Sequence, residues 1–316
     1  MKAATLKAAG LALTAAIGLA FTVPGCAQAG KSSAKKISQS QPAPATGPFS
    51  GERAMQYTRE VVAMGPRPVG SAGHKKLEEY LHAHLAKDQA EEDAFTASTP
   101  AGTFAMKNII AKFPGTKDGI IVVGSHYDTC YPLKTFVGAN DGGSTTALLL
   151  ELANHLRGGR RDGYSVWLVW FDGEEAIRQW TPDDSLYGSK HLAARWKADG
   201  TAAKIKAFLL ADMIGDRDLN IQRDTNSTPW LLDLVGQAAA KLNYRSYFFE
   251  QQTAVEDDHL PFARIGVPVA DIIDLDYGYN NVFHHTPEDT IDKVSAKSLG
   301  ISGSVILETI KMLDSR

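Results

Sequence analysis

The chain has 316 residues, 44% of them hydrophobic and 22% charged, and 33 basic residues against 36 acidic ones leave a net charge of −3. Those proportions exclude a disordered, collagen-like or membrane-channel chain, and a balance so near neutral leaves no electrostatic footprint for nucleic acid. Two cysteines, Cys26 and Cys130, exclude a disulfide scaffold, and the length is ample for a core that needs no staple.

Residues 1–25 have the order of an export signal: Lys2 and Lys7, then an apolar run over 8–21, then small residues. The competing reading, a buried N-terminal helix, does not explain that order. Two processing sites compete. Ala27-Gln28-Ala29 is an A-x-A cleavage site, whereas Val23-Pro24-Gly25-Cys26 resembles a bacterial lipobox that would lipidate Cys26. The expected location is therefore exported: periplasmic, cell-envelope or secreted, with the membrane reached only through a lipid on Cys26. Residues 26–48 are rich in Ser, Lys, Gln, Ala and Pro and read as a flexible tether. A single catalytic domain is expected over 49–316.

Within that domain, 52–64 and 75–85 have helical patterning, separated by a Gly-Pro-Arg-Pro-Val-Gly turn at 65–70. Short β-branched apolar runs at 108–113, 119–125, 165–171, 205–210 and 267–273 predict buried strands. Segments 145–156, 228–242 and 296–313 predict helices. The alternation predicts an α/β three-layer sandwich, with a mixed, mostly parallel central sheet and helices on both faces. Ligands of such folds sit beyond the carboxyl ends of the strands.

Six polar clusters follow strand-like runs or border them. In Ser125-His126-Tyr127-Asp128 the period-two geometry turns His126 and Asp128 the same way, which suits a His ligand held by a carboxylate. Gly138-Ala139-Asn140-Asp141-Gly142-Gly143-Ser144 precedes a helix, so Asp141 is a ligand or merely a cap. In Asp172-Gly173-Glu174-Glu175, adjacent glutamates can divide labour, one binding a metal while its neighbour moves protons. Asp212 stands alone among apolar neighbours, where burial is costly without compensation. Glu256-Asp257-Asp258-His259 and Phe283-His284-His285-Thr286-Pro287-Glu288-Asp289-Thr290 are weak separately: His259 reads as a core histidine and Asp257 as a solvated cap. Imidazoles and carboxylates without thiolate suit a catalytic zinc site. Cys130 reads as a small buried residue.

Taken in order, His-x-Asp, Gly-Ala-Asn-Asp-Gly, Glu-Glu, Asp-Met and His-Thr-Pro-x-Asp-Thr resemble the co-catalytic zinc aminopeptidase family. Within it, the stretch from Phe171 to Ala193, Phe136-Val137-Gly138-Ala139 and Asp257-Asp258-His259-Leu260-Pro261-Phe262 resemble glutaminyl-peptide cyclotransferases, the glutaminyl cyclases. The resemblance implies Asp141, Glu175 and His285 as zinc ligands, Glu174 as the proton-transfer residue, and Asp212 and Asp258 as further catalytic carboxylates. It implies Trp180, with Phe283, as substrate-binding walls that exclude water. Animal-type cyclases carry a Trp where this chain has His284, and a cysteine pair where it has Ser125 and Thr146.

The expected activity is zinc-dependent conversion of N-terminal glutamine of peptides to pyroglutamate, with release of ammonia and one zinc ion. The alternative is a di-zinc aminopeptidase, its second ion on His126 and Asp212 with Asp141 bridging. A non-catalytic binding protein of the same fold has no use for an intact Glu174-Glu175 pair.

Overall fold

The computed structural model describes residues 48–158 and 161–316. The expected export signal at 1–25, its lipidation site Cys26 and the tether, save its last residue, lie outside the described residues. Among the described residues no helix is long and apolar enough to cross a membrane.

Helix α1 (Gly51–Val62) begins where the Ser50 hydroxyl accepts the Arg53 N–H, and α2 (Ala72–Leu85) where the Ser71 hydroxyl accepts the His74 N–H. These are N-caps of the type that satisfies otherwise orphaned helix amides. An antiparallel hairpin follows, β1 (Gln89–Thr99) and β2 (Gly102–Phe113). Next come β3 (Gly115–His126), α3 (Thr145–Leu156), β4 (Arg161–Phe171), α4 (Tyr187–Ala198) and β5 (Ile205–Asp212). The chain ends with β6 (Ile221–Asp224), α5 (Pro229–Lys241), β7 (Phe248–Thr253), α6 (His259–Ala263), β8 (Val269–Ile273) and α7 (Ala296–Asp314).

The strands form one sheet in the order β1-β2-β4-β3-β5-β8-β6-β7. Strands β4, β3, β5 and β8 run parallel to one another, as do β6 and β7, while β1–β2, β2–β4 and β6–β8 are antiparallel. The mixed, mostly parallel sheet expected from the sequence is thus present. Side-chain alternation divides its faces. Ile121, Val123, Ala207 and Leu209 join the core under α1, α3, α5 and α7, whereas Ile120, Val122, Phe208 and Leu210 face Trp196 of α4 and Phe262 of α6. Burial on both faces explains why these central strands are continuous apolar runs.

The elements absent from the sequence expectation are β1, β6, β7, α4 and the five-residue α6. Strand β1 is an edge strand whose Glu91, Glu92 and Asp93 break the apolar signal, and β6 has only four residues. Helix α4 buries Gly188 and Ser189 with Leu192, Ala193 and Trp196, so small residues replace part of its apolar stripe.

Candidate active site

The parallel strands β3, β4, β5 and β8 deliver the polar clusters to one rim of the sheet. His126 is the last residue of β3, Asp212 the last of β5, and Glu174-Glu175 follow β4. The acidic turn is pinned from behind: Asp128 accepts the N–H groups of Glu174 (3.1 Å) and Glu175 (3.3 Å). Asp172 is held by the His74 ring at 2.8 Å and accepts the Lys107 N–H at 2.8 Å. Asp128 also faces His126, as its spacing suggested, at ion-pair rather than hydrogen-bond distance. The two stand 3.7 Å apart, beyond hydrogen-bond distance, because the carboxylate is committed to the backbone of the next strand end.

Asp141 lies in the turn before α3 and is not its cap, since Ser144 occupies that position. Gly142 makes this turn feasible: its φ is +73°, and a Cβ there would lie 2.8 Å from the Asp128 carbonyl oxygen. Asp289 grips the turn by accepting the N–H groups of Asn140 (2.8 Å) and Asp141 (3.1 Å), together with the Tyr277 hydroxyl at 2.5 Å. From the other side the fully buried Arg67 donates to the carbonyls of Val137 (2.6 Å) and Gly138 (3.0 Å). The sequence read the Arg67 segment only as a turn; no local signal marks a guanidinium that acts across the fold.

The functional side chains converge here. His285 Nε2 stands 3.3 Å from Asp141 Oδ2 and 3.3 Å from Glu175 Oε2. His126 Nε2 stands 3.1 Å from Asp141 Oδ1 and 3.3 Å from Asp212 Oδ1. A cavity of about 480 Å³ opens over them, lined among others by Asp141, Glu174, Trp180, Asp212, Asp257, His284 and His285. Asp258, expected as a catalytic carboxylate, is fully buried and is not among the lining residues; its neighbour Asp257 is. Asp257 corrects its expectation as a solvated cap: it is 3% exposed, its carboxylate accepts the Asp258 N–H at 2.5 Å, and it faces the cavity. Phe283 also departs from expectation. It is not among the lining residues; its ring packs edge-on against Tyr277, with centroids 5.4 Å apart. His259 is a core residue, 3.2 Å from Asp224 and 3.6 Å from Asp271, all fully buried.

The electrostatics are those of acids crowded out of water. Burial and the nearby Asp257, Glu175 and Asp258 charges outweigh the pull of His126 and raise Glu174 well above the usual carboxylate range. Burial pushes Asp258 up to about 7. Burial opposes charge on His285 too, but Glu175 and Asp141 overcome it and lift the imidazole to about 11.

These residues fit a divalent cation. Asp141 Oδ2 and both Glu175 oxygens are buried and make no hydrogen bond of normal geometry among the described residues, His285 alone standing at ion-pair distance, and two buried carboxylates facing one imidazole are costly unless a further cation meets them. Nitrogen and oxygen ligands about 2.0–2.1 Å from a tetrahedral zinc are spaced about 3.3 Å from each other, the observed distance from His285 to each carboxylate. Around His285 two groups have mutual metal-binding reach, Glu175 and His285 with Cys130, and Asp141 and His285 with His284, so the structure joins His285 to each expected carboxylate but does not gather Asp141, Glu175 and His285 into one group; His126, Asp141 and Asp212 form a further one. Cys130 is free and buried as expected, yet its sulfur lies within 4.8 Å of ligand atoms of Glu175 and His285.

Residues 108–310 match the model of peptidase family M28. The chain belongs to that family. Among M28 relatives, a glutaminyl-peptide cyclotransferase of Drosophila melanogaster is 32% identical over 268 residues, covering 75% of each chain. An Acidobacteriales bacterium glutaminyl cyclase is 55% identical with a TM-score of 0.84, over 88% of this chain and 98% of that one. A Zn-dependent exopeptidase from Parabacteroides distasonis, 23% identical over 86% of this chain and 100% of that one, shares the fold with a TM-score of 0.74. This M28 chain is an enzyme of the glutaminyl-peptide cyclotransferase kind.

Proposed function

We propose that the enzyme is zinc-dependent and cyclises the N-terminal glutamine of peptides to pyroglutamate, releasing ammonia. The observation that carries this is the division between two adjacent glutamates: Glu175 turns to His285, while Glu174 lines the substrate-sized cavity with Trp180. Zinc held by Asp141, Glu175 and His285 would polarise the substrate's γ-carbonyl. Glu174 takes a proton from the α-amine and delivers it to the departing amide nitrogen. Its raised proton affinity suits both halves of that transfer, a step that contributes about 100- to 10,000-fold. Asp212, on the cavity wall, accepts from the leaving nitrogen, while the buried Asp258 raises the proton affinity of Glu174. Trp180 walls the short side chain and excludes water.

The cluster of His126, Asp141 and Asp212 supports a second reading, a di-zinc aminopeptidase in which Glu174 deprotonates a water. Metal analysis with product identification separates the two. One zinc per chain and ammonia from Gln-peptides support cyclisation; two zincs and free amino acids from Leu- or Ala-peptides refute it. For location we propose export, with a lipid on Cys26 or cleavage after Ala29. Mass spectrometry of the mature N-terminus tests it, and an unprocessed Met1 would refute it.

A further inference from the structure

We propose that His284 is a catalytic hydrogen-bond donor whose Nε2–H serves the γ-carboxamide oxygen of the substrate as negative charge builds on it. The inference rests on the cyclisation reading. It begins with a chain of hydrogen bonds in the loop before the last helix. The Tyr277 N–H donates to Asn281 Oδ1 at 3.2 Å, which fixes the oxygen end of that amide. Asn281 Nδ2 then faces His284 Nδ1 at 3.2 Å. An amide nitrogen can only donate, so Nδ1 is the acceptor, and a neutral imidazole must carry its proton on Nε2.

The backbone keeps this arrangement. Asn281 has a φ of +60°, its N–H donates to the Gly278 carbonyl at 2.9 Å, and the His284 N–H donates back to the Asn281 carbonyl at 3.3 Å. The imidazole lies against that of His285, ring centroids 3.9 Å apart. Its Nε2 is 4.0 Å from Asp141 Oδ2, too far for a hydrogen bond, and His284 lines the cavity with 29% of its side chain exposed. Among the described residues this N–H has no hydrogen-bond acceptor; His284 has a ring nitrogen within 4.8 Å of ligand atoms of Asp141 and His285, and it borders the cavity that they also line.

Ring closure needs such a group. As the α-nitrogen bonds to the γ-carboxamide carbon, the carbonyl electron pair moves onto oxygen. It returns when the bond to the leaving nitrogen breaks, and the proton lost by the α-amine leaves in ammonia. A donor already fixed on the cavity wall requires little reorganisation at the moment of reaction. A ring serving only as an apolar wall would do its work equally well without nitrogen.

The test compares wild type, His284→Phe, His284→Gln and Asn281→Leu by steady-state kinetics on Gln-peptides, by metal content, and by ¹⁵N NMR of histidine-labelled protein. We expect an Nε2–H tautomer at His284 in wild type that Asn281→Leu converts to a mixture. His284→Phe should lower kcat about 100-fold while KM moves less than about threefold and metal content holds. His284→Gln, which restores an N–H near Nε2, should recover about tenfold of that loss. The role is overturned by a wild-type proton on Nδ1, by a Phe variant with undiminished kcat, or by metal loss in that variant, which would make His284 a ligand. Absence of pyroglutamate with wild type would sink cyclisation itself, an outcome distinct from cyclisation that ignores residue 284.

Discussion

Replacing Asp258 by Asn should make the protein more stable at alkaline pH and less active. Asp258 is fully buried, neither of its oxygens has a hydrogen bond of normal geometry, and burial lifts it from 3.8 to about 7. Because the folded value lies above the unfolded one, the stability contributed by the protonated carboxyl is complete below pH 3.8 and is lost as the pH rises through about 7. At about 1.36 kcal/mol per unit, the full loss is roughly 4 kcal/mol, of which roughly 3 kcal/mol falls between pH 5 and pH 8. A bound cation trims this figure. Asn does not titrate, so the stability difference between variant and wild type should move by up to that amount in the variant's favour over this interval. Urea unfolding of both proteins at pH 5 and pH 8 measures it, together with the smaller change from Glu174 and Asp257, whose proton affinity the Asp258 charge raises. In parallel kcat should fall about 100-fold, since the neutral amide no longer raises the proton affinity of Glu174. A difference that stays flat with pH, or that moves in the wild type's favour, would refute the claim that this carboxylate is held at a cost for catalysis.

Chelation should abolish ammonia release and lower Tm, because a ligand bound only to the folded state stabilises it; zinc should restore both, and a metal-free yet active enzyme would contradict the site. Arg67→Met should cost about 3–5 kcal/mol, since it strands the Val137 and Gly138 carbonyls in the interior; a loss under about 1 kcal/mol in denaturant titration would show that the turn supports itself. Gly142→Ala should destabilise by about 1–3 kcal/mol through its φ of +73°. It should also lower kcat, by pressing on Asp128 and His126; a fully active, equally stable variant would refute the packing argument.

Much of the architecture was legible because the central strands are buried on both faces. Runs such as Val166-Trp167-Leu168-Val169-Trp170-Phe171 admit few other readings. The outer strands were not, because edge positions tolerate charge: β1 carries Glu91, Glu92 and Asp93, and its register is set by pairing with β2 rather than by its own composition. In the site, residues adjacent to strand ends could be nominated from position alone, as with Glu174, Glu175 and Asp212. Roles that depend on the far side of the fold could not. Asp128 was paired with His126 by periodicity, but its oxygens also accept from amides 46 and 47 residues away. Asp257 looked solvated because its neighbours are charged, and only the cavity reveals its burial. Phe283 sits beside two histidines in sequence, yet a turn with positive φ at Gly278 directs its ring away onto Tyr277.

Asp141, Glu175 and His285 hang from three separate connections spread along the polypeptide, and His285 arrives only after β8 has been laid down. If these three residues hold the ion, the set is complete only once the loop after β8 is in place, and ion capture would be a late event of maturation. First-row cations compete by availability as much as by intrinsic preference. Whichever compartment hosts that last step would thereby decide which metal the site takes.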